Sequence, residues 1–387
     1  LGIFPVEFNV LRDDQFEVRR GFYGLAVIYA NESDVTPVIS RTDDLEFRLA
    51  SAIYNMTTTE SPGIRFIQGF GSKNLGDISG LAETLGDRYD IGAIDIAGDS
   101  ADAIDPESTE VLVLAGPTEQ LDSMAIRRVR NYVDGGGSAL LLMEPIRLDP
   151  QSPTPIPVSS GLEPLLEERG ISVSERMVLD LASSERVNAG RQGIFQLIQN
   201  YPLWPIGLPA SDHAIINGLN TLAIAWAAGL EIQDSVTVQS LWQTSEAGAL
   251  HAVGGPIFPD QEWDVPEEEL GVRTLAAAVT PGEGDARGRL VVVGDATFTE
   301  PQYTQRYPGN LVFLANAIDW LAGDEALIRI RSKDRTPPNL VFDSDVSRNV
   351  LKWGNLIGMP LLFVLLGVLR VSGRRRRAEA RWGEIVA

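Results

Sequence analysis

Val111-Leu112-Val113-Leu114-Ala115-Gly116-Pro117 is the stretch that decides how this chain folds. Five apolar residues in a row leave no polar position to face water, which describes a strand buried on both faces of a parallel sheet. Gly116-Pro117 then breaks it. The next helix carries Leu121, Ala125, Val129, Tyr132 and Val133 on one face and Arg127, Arg128 and Arg130 on the other. Gly135-Gly136-Gly137 ends that helix, and Ala139-Leu140-Leu141-Leu142-Met143 is a second buried strand closing on Glu144-Pro145. Upstream, Ile64–Ile67 and Ile91–Ile96 read as strands around a helix through Leu75–Leu85. Downstream, Leu290-Val291-Val292-Val293-Gly294-Asp295 reads as strand and turn, followed by a helix with Leu311, Leu314, Ile318 and Leu321 on one face. Parallel strands need crossover helices, so this alternation predicts an α/β fold with a doubly wound, mostly parallel sheet.

The outer segments fill in the domain plan. Residues 1–40 read as strands from the end of a preceding domain, and the α/β domain covers 41–331. It opens on a helix bearing Leu45, Leu49, Ile53 and Met56 behind Thr42/Asp43 as a cap. An insertion around 183–265 holds the Tyr201-Pro202-Leu203-Trp204-Pro205 turn, an apolar stretch Leu222–Leu230 and a strand through Val236–Leu241. Residues 332–351 are a juxtamembrane linker, 352–371 a membrane helix and 372–387 a basic tail. The chain opens on Leu1 with no leader-like segment after it, so a start further upstream is expected.

The membrane reading rests on Trp353–Leu369, 17 residues without a charge between Lys352 and Arg370. That is just long enough to span a bilayer if the flanking cations snorkel. Arg374-Arg375-Arg376-Arg377 follows, a cytoplasmic anchor by the positive-inside rule, which leaves the body on the outer side. Gly354 and Gly358, with Asn355 between them, offer a close-packing face to another membrane helix. The formal net charge is −21, although the last 18 residues carry six Arg against Glu379 and Glu384. So acidic a body repels phosphate backbones and excludes nucleic acid as a partner.

The chemistry is bounded by what is missing. With no cysteine there is no disulfide, thiolate nucleophile or Cys-ligated metal. The three lysines, Lys73, Lys333 and Lys352, never follow glycine, so no phosphate-binding Gly-Lys loop exists and any ATP hydrolysis belongs to another subunit. His213 and His251 lie in poorly patterned segments with no nucleophile elbow, and no cofactor or metal is indicated. Asp99, Asp102 and Asp105 lack calcium-loop spacing and read as a solvated loop. Glu144 and Asp295 stand at C-terminal ends of parallel strands, where α/β proteins place ligands, and form the candidate ligand-binding crevice. The competing reading of Asp295 is a cap on the segment that follows.

The run Val111–Leu121 with Asn131–Gly137 resembles a glutamine-amidotransferase-like (flavodoxin-like) α/β domain. The closing series is more specific: Val292-Val293-Gly294-Asp295, Gly309-Asn310, Phe313–Leu321, Ile328–Arg331, the Pro360-centred helix and the Arg run. In this order they resemble the gliding-motility-type auxiliary component of ABC-2 transporters, whose domain is shared with an intraflagellar-transport protein. The resemblance covers roughly residues 20–377. It implies a non-catalytic extracytoplasmic subunit of a bacterial inner-membrane complex, working with an ABC-2 permease and a cytoplasmic ATPase, as a homo- or hetero-oligomer. It also implies an N-terminal membrane helix and domain before this point. Where that family often has Gly-His-Gly-Glu after the first strand, this chain has Gly69-Phe70-Gly71-Ser72, so no role of that His and Glu carries over. The alternative expectation is a membrane-anchored module binding a glycan or peptide, with no transporter role.

Overall fold

The computed structural model describes residues 2–323, apart from short stretches, and scattered positions of 349–371. Residues 1–339 and 340–387 form two separate units. The first unit begins with two antiparallel hairpins, β1 (Pro5–Arg12) with β2 (Gln15–Phe22) and β3 (Leu25–Tyr29) with β4 (Glu32–Thr36). Helix α1 (Leu45–Thr57) follows where the four-residue apolar spacing placed it; the residues read as its cap lie outside the described set.

The α/β alternation then runs β5 (Gly63–Gln68), α2 (Leu81–Leu85), β6 (Asp90–Asp95), β7 (Val111–Ala115), α3 (Ser123–Asp134) and β8 (Ser138–Leu142). A hairpin of β9 (Ile146–Asp149) and β10 (Ser152–Pro157) leads to α4 (Glu163–Glu167). The next strands are β11 (Ile171–Asp180), β12 (Ser184–Gln192), β13 (Phe195–Pro209), β14 (Leu222–Ala223), β15 (Ala228–Ile232), β16 (Val238–Gln243), β17 (Gly248–His251) and β18 (Thr274–Val279). Last come β19 (Leu290–Val293), α5 (Pro301–Thr304) and α6 (Gly309–Leu321).

One 13-stranded sheet joins most of these in the order β12-β13-β16-β18-β19-β8-β7-β5-β6, with β11, β14, β15 and β17 attached. From β6 to β19 every pairing is parallel. From β18 outward every pairing is antiparallel. The expectation of a mostly parallel sheet is therefore corrected: the sheet is mixed. The physical reason lies in the connections, because β11 through β19 follow one another without crossover helices, and helix-free links favour antiparallel neighbours.

The parallel half is buried as its unbroken apolar strands require. Val111, Val113 and Ala115 of β7 pack with Val291 and Val293 of β19 on the face covered by α6 and α2. Leu112 and Leu114 pack with Leu290 and Val292 on the opposite face, under α3 and α4. Each fully buried Val or Leu contributes about 1.5–3 kcal/mol relative to exposure, so these two layers supply much of the fold's stability. Asp122 caps α3 by accepting from the Met124 and Ala125 amides, each at 2.8 Å. Arg128, expected on the exposed face of α3, is instead buried and donates to the carbonyls of Ile96 and Gly98. The helix expected over Leu75–Leu85 is confined to α2, because Gly80 takes a left-handed φ of 85° that ends any helix running through it.

Helix α6 is apolar nearly all round and carries a buried ion pair. Arg88 Nη1 lies 2.9 Å from Asp319 Oδ1, both side chains shielded from water, and the Tyr89 hydroxyl donates to the same oxygen at 2.7 Å. Asn310 opens the helix by donating to the carbonyls of Ala223 and Phe298 and accepting from the Ala223 amide.

In the second unit a five-residue π-helical turn spans Gly354–Gly358, with Trp353, Leu356 and Ile357 exposed. No helix among the described residues is long and apolar enough to cross a membrane. Most of 359–369, the Asn355 side chain and Arg374–Arg377 lie outside the described residues.

Candidate functional site

Four neighbouring parallel strands, β5, β7, β8 and β19, end on the same edge of the sheet, and their C-terminal loops converge there. After β5 the chain passes through Gly69, Phe70 and Gly71, all with left-handed φ of 86°, 54° and 66°. A non-glycine in that region is costly, and Phe70 holds it because its carbonyl accepts from the Thr118 and Glu119 amides. The turn brings Lys73 down beside β7, its amide donating to the Ala115 carbonyl at 2.7 Å. Gly116 follows β7 with φ of 60°; a Cβ there would stand 2.8 Å from the Ala296 Cβ and 3.2 Å from Glu144 Oε2. The backbone has to be bare at that point for the loops to close.

The two carboxyls singled out in the sequence meet here. Glu144, two residues past β8, accepts the Ala296 amide at 3.2 Å and the Thr297 hydroxyl at 3.0 Å. Asp295, two residues past β19 and buried, accepts the Thr297 amide at 2.8 Å and the Phe298 amide at 3.0 Å. Both therefore clasp one short turn, 296–298, and the expected cap role of Asp295 is what its geometry shows. Lys73 Nζ reaches the Glu300 carboxylate at 2.8 Å. Sequence reasoning missed Lys73, Thr297, Glu300 and Tyr303. The available signal was Lys73, one of three lysines, directly after a glycine-bounded turn at a strand end.

Electrostatics sets this cluster apart. Burial pushes the Glu144 carboxyl up to about 8, the Asp295 charge adding to the effect and Lys73 opposing it. Burial also lifts Asp295, to about 6, against the two backbone N–H bonds that favour its charged form. Burial alone would lower Lys73, but the Glu300 bond and the surrounding carboxylates raise it overall. Tyr303 is raised by burial and by Asp295, Glu300 and Glu144. Its ring stacks edge-on to Trp204 at 5.5 Å, which meets Trp226 at 5.1 Å and Tyr201 at 5.7 Å, so an aromatic group adjoins the charged one.

The other candidates fall elsewhere. His213 accepts the Ile215 amide through Nδ1 and packs against Trp320; His251 packs against Trp263. Asp99, Asp102 and Asp105 are exposed. Among the described residues no group of three or more His, Asp or Glu is placed to hold a metal ion.

Fold and site define a mixed α/β protein whose parallel strands deliver a lysine and a carboxyl pair to one sheet edge, beside an aromatic group from β13, Trp226 and α5. A family described as an ABC-type uncharacterized transport system, auxiliary components of such systems, matches residues 61–318, and the chain belongs to that family. An uncharacterized protein of Borreliella burgdorferi is 21% identical over 419 residues, covering 97% of this chain and 78% of that protein. Among solved structures, the mmIFT52 N-terminal domain is similar at 17% identity and a TM-score of 0.44, over 67% of this chain and 97% of that one. A ThuA-like protein from Parabacteroides merdae is similar at 13% identity and a TM-score of 0.37, over 68% and 91%.

Proposed function

We propose that this chain is a non-catalytic, extracytoplasmic accessory subunit of an ABC-2-type transporter. The observation that carries the reading is family membership across 61–318, the span that includes the parallel half and the strand-end cluster. The uncharged stretch Trp353–Leu369, bounded by Lys352 and Arg370 and followed by Arg374–Arg377, supports a single membrane helix with a cytoplasmic tail. Gly354, Asn355 and Gly358 then supply the face that packs on the permease within the bilayer. ATP hydrolysis comes from a separate cytoplasmic subunit, since no lysine here directly follows a glycine. The body contacts cargo or a partner outside the membrane, and the helix passes its position to the permease.

Purification of the tagged chain from native membranes in mild detergent tests this. Co-elution of an ABC ATPase and a permease is the expected result; a lone chain, recovered without either under conditions that preserve known membrane complexes, contradicts it. A second reading, a ligand-binding module for a glycan or peptide, is favoured by the aromatic group beside the strand-end carboxyls. It predicts a rise in melting temperature with such ligands whether or not transporter subunits co-purify.

A further inference from the structure

The strand-end cluster holds more negative charge than its one cation can balance. Its titratable and charged members are Lys73 after β5, Glu144 after β8, Asp295 after β19, and Glu300 and Tyr303 at α5, with Tyr201 near Tyr303, while the loop after β7 brings only Gly116. Lys73 is engaged directly by Glu300. Among the described residues no cation bonds to Glu144 or Asp295. Their partners are the amides of 296–298 and the Thr297 hydroxyl, so two carboxyls grip the same three-residue turn from the ends of adjacent strands. Two ionised carboxylates sharing a shielded site repel, and the readiest relief is for one to keep its proton.

We propose that this pair is a proton-operated latch: one proton held by Glu144 and Asp295 together keeps the turn 295–300 closed on the strand ends, and its release loosens that turn and α5. With Glu144 protonated, the Thr297 hydroxyl can rotate from donor to acceptor and the contact survives. With both ionised, the repulsion falls on the segment they share. Gly116 packs against Ala296 and Glu144 from the third strand, so the turn has little room to move without opening the edge. The latch turns the strand-end face, and the aromatic group beside it, into a surface whose order depends on pH. It does not rest on the transporter reading.

The sign follows from linkage. Both carboxyls lie above their unfolded values of 4.5 and 3.8, so the folded chain binds more protons than the unfolded one from about pH 4 to about pH 8. This contribution to stability is present at low pH and is lost as pH rises through that window. The test uses the full chain in mild detergent. Infrared spectroscopy at pH 7 should show a protonated carboxyl band that disappears in Glu144→Gln. The melting temperature of the wild type should fall by on the order of 5 °C between pH 5.5 and 8.5, and this fall should shrink in Glu144→Gln. Hydrogen exchange at 296–300 should accelerate with pH beyond the intrinsic rate change. Thr297→Val, which removes a donor favouring the charged form, should move the midpoint upward and serves if Glu144→Gln does not fold. Absence of a protonated carboxyl at pH 7, an unaltered pH slope in Glu144→Gln, or an unmoved midpoint in Thr297→Val each overturns the latch. None of these outcomes bears on whether transporter subunits co-purify.

Discussion

This fold holds two charge clusters, and they are built differently. Arg88 and Asp319 form an ion pair, sealed from water and supported by the Tyr89 hydroxyl, that fastens α6 to the segment after α2. Lys73, Glu144, Asp295 and Glu300 set three carboxyls against one ammonium at the strand ends, with Lys73 and Glu300 partly open to solvent and Asp295 buried. A balanced, sealed pair has one stable arrangement and holds structure. An unbalanced cluster is where the proposed latch places its shared proton.

The contrast breaks first at Asp319. Asp319→Ala leaves Arg88 buried without its partner and should cost about 3–5 kcal/mol, read as a lower urea midpoint. Replacing both residues with Met and Leu should recover most of that loss. Gly116→Val attacks the other cluster through the backbone. Its left-handed φ and the Ala296 contact predict roughly 1–3 kcal/mol of destabilisation and looser packing at the strand ends. Asn310→Ala strips partners from the Ala223 amide and the Ala223 and Phe298 carbonyls, and should cost about 1–3 kcal/mol in a thermal melt. The smallest stability effect is expected for Lys73→Met, within about 1 kcal/mol, since its pair with Glu300 is accessible to water. Its signature is different: loss of the ammonium should move the carboxyl titration to higher pH, the opposite of a purely structural residue's silence.

The two halves of the sheet were unequally legible in the sequence. Val111–Ala115, Ala139–Met143 and Leu290–Val293 announce buried parallel strands because burial on both faces leaves no alternation to confuse with a helix. The antiparallel half hid itself. Strand β13 runs Phe195–Pro209 through Pro202 and Pro205, residues that argue for a turn, and it survives because its pairing with β12 shifts register where Pro205 meets Ser184. Leu222–Leu230 read as one apolar stretch, yet Trp226 with φ of 56° divides it into β14 and β15. Glu144 and Asp295 were found from strand ends alone. Lys73 and Glu300 were not, because 227 positions separate them and only the sheet order brings them together. Arg128 was misplaced because helical spacing cannot show that the carbonyls of 96–98 turn toward it.

The absence of cysteine makes the placement of the body directly measurable. A single thiol introduced by Asp102→Cys in the exposed loop, or by Ala387→Cys at the end of the chain, can be probed in intact cells with a membrane-impermeant maleimide. An extracytoplasmic accessory subunit predicts labelling at 102 and protection at 387 until the membrane is permeabilised. Protection at 102 in intact cells, or labelling at 387, would contradict it.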